Sequence, residues 1–174
     1  MAKRKTSRQV AMEKTLDRGA NFKGVNFGRC WFDEDHMLCV CTGYYGVRLT
    51  SYIDSEVPIF GPNRTKTMPN LKQFTTPPIR TACTHLTVPK TSDLRKLIKD
   101  QKKMKRISGD KNPKAYYDFP GIRLRVNAEA LLDILYLMGR EGTTMTWYGG
   151  LNQIYFYNMD NGNEGFLFPV RITE

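Results

Sequence analysis

The stretch from Ile122 to Ile172 constrains the fold more than any other, because its apolar period changes from two to 3.6 and back again. Ile122, Leu124 and Val126 alternate with Arg123 and Arg125, as in a strand with one buried face. Asn127 follows as a helix cap. Leu131, Leu132, Leu135 and Met138 then share one side of a helix that stops at Gly139. Three strand-like runs come next: Thr143 to Tyr148, Gln153 to Tyr157 and Gly165 to Ile172. Gly149-Gly150 and Asn161-Gly162-Asn163 are the turns between them. An order of strand, helix, strand, strand, strand with short turns requires antiparallel pairing and leaves the helix to cover one face.

The N-terminal third reads as a second copy without an obvious first strand. Ser7 is the expected cap of a helix over roughly 8–18, with Val10, Met12 and Leu16 as its apolar positions and Gly19 as its stop. Three strand-like runs follow, Gly24 to Phe32, Met37 to Cys41 and Val47 to Ile53, with Asp33-Glu34-Asp35 as a solvated turn after the first. Residues 55–90 resist such a reading. Six of the nine prolines fall there (Pro58, Pro62, Pro69, Pro77, Pro78 and Pro89), so long regular elements are not expected. From Thr91 to about Ser108 the pattern is helical again, with Leu94, Leu97, Ile98 and Met104 on one side, Thr91, Ser92 and Asp93 as caps, and Gly109 as the stop. The expected fold class is α+β: an antiparallel sheet with helices on one side, made of two helix-plus-three-strand units in one domain spanning 1–174. Residues 1–6 form a basic arm and residues 90–114 a basic helical segment.

Charge narrows the function. The chain carries 27 Lys and Arg against 17 Asp and Glu, a formal net charge of +10, and it is concentrated. Residues 90–114 hold ten basic and three acidic groups, and residues 1–18 hold six and two. Dense positive charge attracts polyanions through counterion release at phosphates, and the basic stretch lacks the aromatic anchors of a membrane-surface helix. No run approaches the length of a spanning helix. The four cysteines, Cys30, Cys39, Cys41 and Cys83, match no small disulfide framework, so free thiols and a cytoplasmic location are expected.

Catalytic patterns are missing. The chain has no Walker-type phosphate loop, no HExxH and no GxSxG. His36 and His85 have no local partner for acid–base work. Cys39 and Cys41, at i and i+2 on one strand, point to the same face and are expected to be buried without a metal. The expectation is a protein that is not an enzyme and holds no cofactor.

Several stretches resemble a known family. Val126-Asn127-Ala128-Glu129-Ala130-Leu131-Leu132-Asp133-Ile134-Leu135 and the final Phe166-Leu167-Phe168-Pro169-Val170-Arg171-Ile172 are similar to the last motif of bacterial DNA polymerase sliding clamps. Cys41-Thr42-Gly43-Tyr44-Tyr45-Gly46-Val47-Arg48-Leu49 resembles that family's Ala-Thr-Asp-Gly-x-Arg-Leu strand, with extra residues, and Val88-Pro89-Lys90 resembles the opening of another clamp helix. A clamp ring contains six such domains, and this chain has room for one. The resemblance implies a single clamp-like domain that binds DNA without catalysis. It also implies a partner groove at Phe168, Pro169, Val170 and Arg171.

On this reading Arg8, Lys14 and Arg18 of the first helix, with Arg95, Lys96, Lys99, Lys102, Lys103, Lys105 and Arg106 of the basic segment, contact phosphates without reading sequence. Nucleic acid is the expected partner, DNA ahead of RNA. A polymerase or nuclease is the protein partner considered, and self-association into an oligomer follows from ring formation. An alternative is a small phage or mobile-element interaction protein that inhibits or recruits a nucleic-acid enzyme, as an anti-CRISPR nuclease inhibitor does. A third reading is an RNA-binding module in which Tyr116, Tyr117 and Phe119 stack bases.

Overall fold

A computed structural model describes residues 4–52, 57–61, 65–79 and 82–172. Helix α1 (Ser7–Gly19) is followed by strands β1 (Trp31–Phe32), β2 (Leu38–Cys41) and β3 (Tyr45–Leu49). A single helical turn α2 (Lys72–Thr75), strand β4 (Thr84–Leu86) and the long helix α3 (Thr91–Ile107) make up the middle of the chain. The last part is β5 (Tyr116–Asp118), β6 (Arg125–Asn127), α4 (Ala128–Met138), β7 (Thr143–Trp147), β8 (Ile154–Asn158) and β9 (Glu164–Leu167).

Seven strands form one antiparallel sheet in the order β1-β2-β3-β9-β8-β7-β4, and β5 and β6 pair separately. The chain is therefore α+β, and both helix-plus-three-strand units are present. They meet at a β3–β9 seam, where Tyr45 opposes Leu167 and Arg48 opposes Glu164. Read outward from that seam, β3, β2 and β1 match β9, β8 and β7, and the two unit helices α1 and α4 lie against each other above it.

Alternation along the strands sorts the core into two layers. Leu38, Val40, Val47, Leu49, Ile154, Phe156 and Leu167 pack with α1 and α4 residues such as Met12, Leu131 and Leu135. Cys39, Cys41 and Phe166 point the other way and pack with Trp31, Leu71, Phe60, Met68 and Phe74. The proline-rich segment is thus the cover of the second face, and α2 lies there. The long helices occupy one side, as expected, but the opposite side is not open.

Local chemistry explains most boundaries. Thr6, not Ser7, caps α1: its hydroxyl accepts from the Gln9 amide while the Gln9 side chain accepts from the Thr6 amide. Gly19 is the last residue of α1, and its role is close approach. A Cβ there would sit 2.6 Å from the Cys41 carbonyl and 2.8 Å from that of Phe27. This contact also explains why Gly24 to Phe32 is not the expected strand: the chain folds back so that the Phe27 amide bonds to the Gly19 carbonyl, and only Trp31–Phe32 is extended. Asn127 caps α4 as expected, accepting from the Ala130 amide. The expected caps Thr91, Ser92 and Asp93 lie inside α3, whose N-cap is Lys90 with no side-chain bond. The last strand ends at Leu167 rather than Ile172. Ile53, Pro62 and residues 1–3 of the expected arm lie outside the described residues.

Candidate nucleic-acid interface

Helix α3 lies beside α4 and β5. Leu94 is fully buried, Ile98 packs against the core, and the Gln101 amide bonds both backbone groups of Tyr116 at 2.8 Å. Met104 was expected on this buried side, but it is exposed: at about 100° per residue it lies about 80° round the helix from Leu94, at the margin of the packed side. At about 100° per residue, Arg95, Lys99, Lys103 and Arg106 fall on one stripe opposite Leu94 and Gln101. The stripe is about 16 Å long, and Lys96 flanks it. All five residues are exposed, and none of their side chains has a hydrogen bond or ion pair among the described residues. The helix ends at Gly109 (φ +88°), where the Gly109 and Asp110 amides bond to the Arg106 and Lys105 carbonyls.

Other expected phosphate contacts are committed inside the fold. Arg8 donates to the carbonyls of Leu137 and Ser51 at 3.1 and 3.0 Å and covers the Tyr52 ring, so it ties α1 to the end of α4. Arg18 pairs with Asp133 at 2.5 Å and donates to the Tyr45 hydroxyl at 3.0 Å. Lys102 pairs with Glu129 at 2.7 Å. Lys105 donates to the Lys114 carbonyl at 2.5 Å and lies 4.8 Å from the centre of the Tyr116 ring. Lys14 is exposed on α1. The aromatics considered for base stacking serve packing: Phe119 is buried, Tyr117 meets it edge-on at 4.9 Å, and Tyr116 lies near both Lys105 and Arg125.

Asp133 is the floor of the Arg18 network. Burial pushes its carboxyl up to about 6, against the opposing pull of Arg18 and Lys14 and the Tyr45 hydrogen bond. The unfolded chain has an ordinary aspartate near 3.9. A raised carboxyl favours the native state while protonated, so this contribution is complete below about pH 4 and is lost as pH rises through about 6. Stability of the parent measured relative to Asp133→Asn should therefore fall between pH 4 and 6, by on the order of 2–3 kcal/mol in urea denaturation at stepped pH. A parallel pair of profiles would show that Asp133 is ionised throughout that range.

The two sets of expected site residues meet across a cleft of about 850 Å³. Its walls come from the end of α1 and the loop after it (Arg18, Phe22, Lys23), the β2–β3 turn (Thr42, Tyr44), Lys102 of α3, the 112–116 loop with Lys114, the start of α4, and Leu167 to Val170. Phe168, Pro169 and Val170 are half-buried. The Phe168 amide bonds to the Tyr44 carbonyl at 3.0 Å and the Val170 amide to the Arg125 carbonyl at 2.8 Å. This segment thus leaves the main sheet and crosses to β6. On its far side Arg171 is exposed beside a smaller cleft of about 250 Å³ that also includes Arg123 and Arg125. Lys23, Tyr44 and Lys114 were not singled out by the sequence reading. The Tyr44-Tyr45 doublet held a usable signal, because consecutive side chains at a strand start point to opposite sides; Tyr45 is buried and Tyr44 exposed.

Arg48 was also missed. It is 1% exposed on the second sheet face, and its guanidinium meets Asp33 at 2.7 Å, Asp35 at 2.6 Å and Glu164. Burial opposes its charge, but the hydrogen bonds it donates to Asp33 and Glu164 more than restore it. The acidic turn is therefore not simply solvated; two of its three carboxylates hold a buried arginine. Cys39 and Cys41 are buried on one face as expected, and Cys30 points into the other layer, 3.7 Å from the Met12 sulfur. Burial raises all three thiols, Cys30 to about 12 and Cys41 to about 11. No helix among the described residues is long and apolar enough to cross a membrane. No protein-family model matches the chain, nor does any curated protein or solved structure.

Proposed function

We propose that this protein is a noncatalytic nucleic-acid-binding protein, built like one sliding-clamp domain, that holds DNA through its phosphates without reading sequence. The observation that carries this reading is the stripe of Arg95, Lys99, Lys103 and Arg106 on α3. These cations are exposed and unpaired, whereas Arg8, Arg18 and Lys102 are answered within the fold. Like charges along one helix face repel each other and contribute little to folding, so their grouping favours an external polyanion. Kinship with clamps is supported by the doubled helix-plus-three-strand unit, its β3–β9 seam and the pairing of α1 with α4. The raised, protonated thiols fit a reducing, cytoplasmic setting.

The test is the salt dependence of duplex binding. With Arg95, Lys99, Lys103 and Arg106 all changed to Gln, the slope of log affinity against log salt should shrink by about 3 to 4, since each lost duplex phosphate contact removes about 0.9. Lys102→Gln alone should change it less, because Glu129 already answers that charge. An unchanged slope in the fourfold variant, or no binding by the parent at low salt, would remove the reading.

A further inference from the structure

The 850 Å³ cleft has an uneven charge balance and an aromatic wall, and the α3 stripe uses neither. Four cations line it, Arg18, Lys23, Lys102 and Lys114. Arg18 is answered by the buried Asp133 beneath, and Lys102 by the wall residue Glu129. Lys23 and Lys114 are left over: neither side-chain amine has a carboxylate partner among the described residues. The cleft therefore suits an anionic occupant.

Its most exposed ring is Tyr44, at 57%. That ring stands edge-to-face with Phe22, centroids 5.0 Å apart and planes at 88°. Phe22 is in turn seated over Gly43 (φ +92°), in space a side chain would need. A Cβ at Gly43 would fall 2.4–2.5 Å from three Phe22 ring carbons. The Tyr44 carbonyl is fixed by the Phe168 amide. Tyr44 is thus anchored at the cleft wall through its ring edge and through its backbone, yet more than half of the residue is exposed.

We infer that this cleft takes a short single-stranded nucleic acid, with one base stacked on Tyr44 and the flanking phosphates on Lys23 and Lys114. The inference rests on the nucleic-acid reading above. A duplex keeps its base faces inside the helix, so it cannot use Tyr44; an acidic peptide satisfies the lysines, but its carboxylate side chains offer the ring no aromatic face. Single strands supply both, and stacking on an aromatic is tolerant of sequence, as is the phosphate binding proposed for α3.

Fluorescence anisotropy on the full chain tests this, with a labelled oligothymidine and a labelled duplex of equal length as separate probes. Tyr44→Ala should weaken oligothymidine binding by roughly 5- to 150-fold, the size of one lost base stack, and leave duplex affinity and Tm unchanged. Tyr44→Phe keeps the ring and should retain single-strand affinity. Changing Lys23 and Lys114 together to Gln should lower the single-strand salt slope by about 1.4. If the parent binds both probes and Tyr44→Ala leaves oligothymidine affinity unaltered, the cleft assignment is overturned while the α3 reading stands. If the parent binds neither probe, the broader reading fails first. A polyglutamate peptide that displaces oligothymidine, and loses affinity equally on Tyr44→Ala, would assign the cleft to acidic peptide instead.

Discussion

Replacing Arg48 with alanine should destabilise the fold by about 3–5 kcal/mol, the range for removing one partner of a buried ion pair. The guanidinium joins four pieces of the chain: the β1–β2 turn through Asp33 and Asp35, β3 itself, β9 through Glu164, and α2 through Thr75, which donates to Glu164 at 2.7 Å. Without it, Asp33 and Glu164 face one another with no cation between them, under a cover that restricts water. Urea denaturation monitored by circular dichroism measures the loss. A chain carrying Arg48→Met with Asp33→Asn and Glu164→Gln removes the stranded charges as well, and should recover most of the stability. A loss below about 1 kcal/mol in the alanine variant would mean that the site is hydrated and the pairs contribute little.

Leu135→Ala should cost about 2–5 kcal/mol, toward the upper end. Leu135 is 1% exposed on α4, one turn from the fully buried Leu131. Nine of the eleven α4 residues are buried, because α1, α3 and the sheet surround it. A cavity walled by several elements that are each held elsewhere collapses poorly, which is the condition for the larger penalty. The denaturation midpoint should fall with the urea slope unchanged. A loss under about 1 kcal/mol would show that α4 shifts to fill the space.

Periodic elements were readable from the chain, and pairings between distant residues were not. Asn127, the leucine stripe and the glycine turns carry their own local instructions, so α4, β7 and β8 lie close to where the pattern puts them. Gly24 to Phe32 has strand-like composition, but the contact at Gly19 that bends it away from the sheet is tertiary. The proline-rich segment was opaque because Phe60, Met68, Leu71 and Phe74 follow no period, and what places them is the apolar face beneath. For the same reason alternation puts Arg48 on the face opposite Val47 and Leu49 without saying that this face is buried: it tells which side a residue takes, not whether that side is covered. Charge density located the basic helix, but sequence alone does not separate Lys99, which is unpaired, from Lys102, whose partner Glu129 is 27 residues away.

The β3–β9 seam has a consequence for how the chain is made. Every residue of β3 is buried, and β9, the strand that covers one edge of it, is translated roughly 120 residues later, a delay of about 6–24 s at typical elongation rates. Throughout that interval the nascent chain holds β2 and β3 with an open, apolar hydrogen-bonding edge, which is a template for pairing with another chain. This protein's central strand pair therefore cannot form until β9 has been translated. Its yield in a cell should depend on chaperones that shield strand edges during synthesis more than its final stability would indicate.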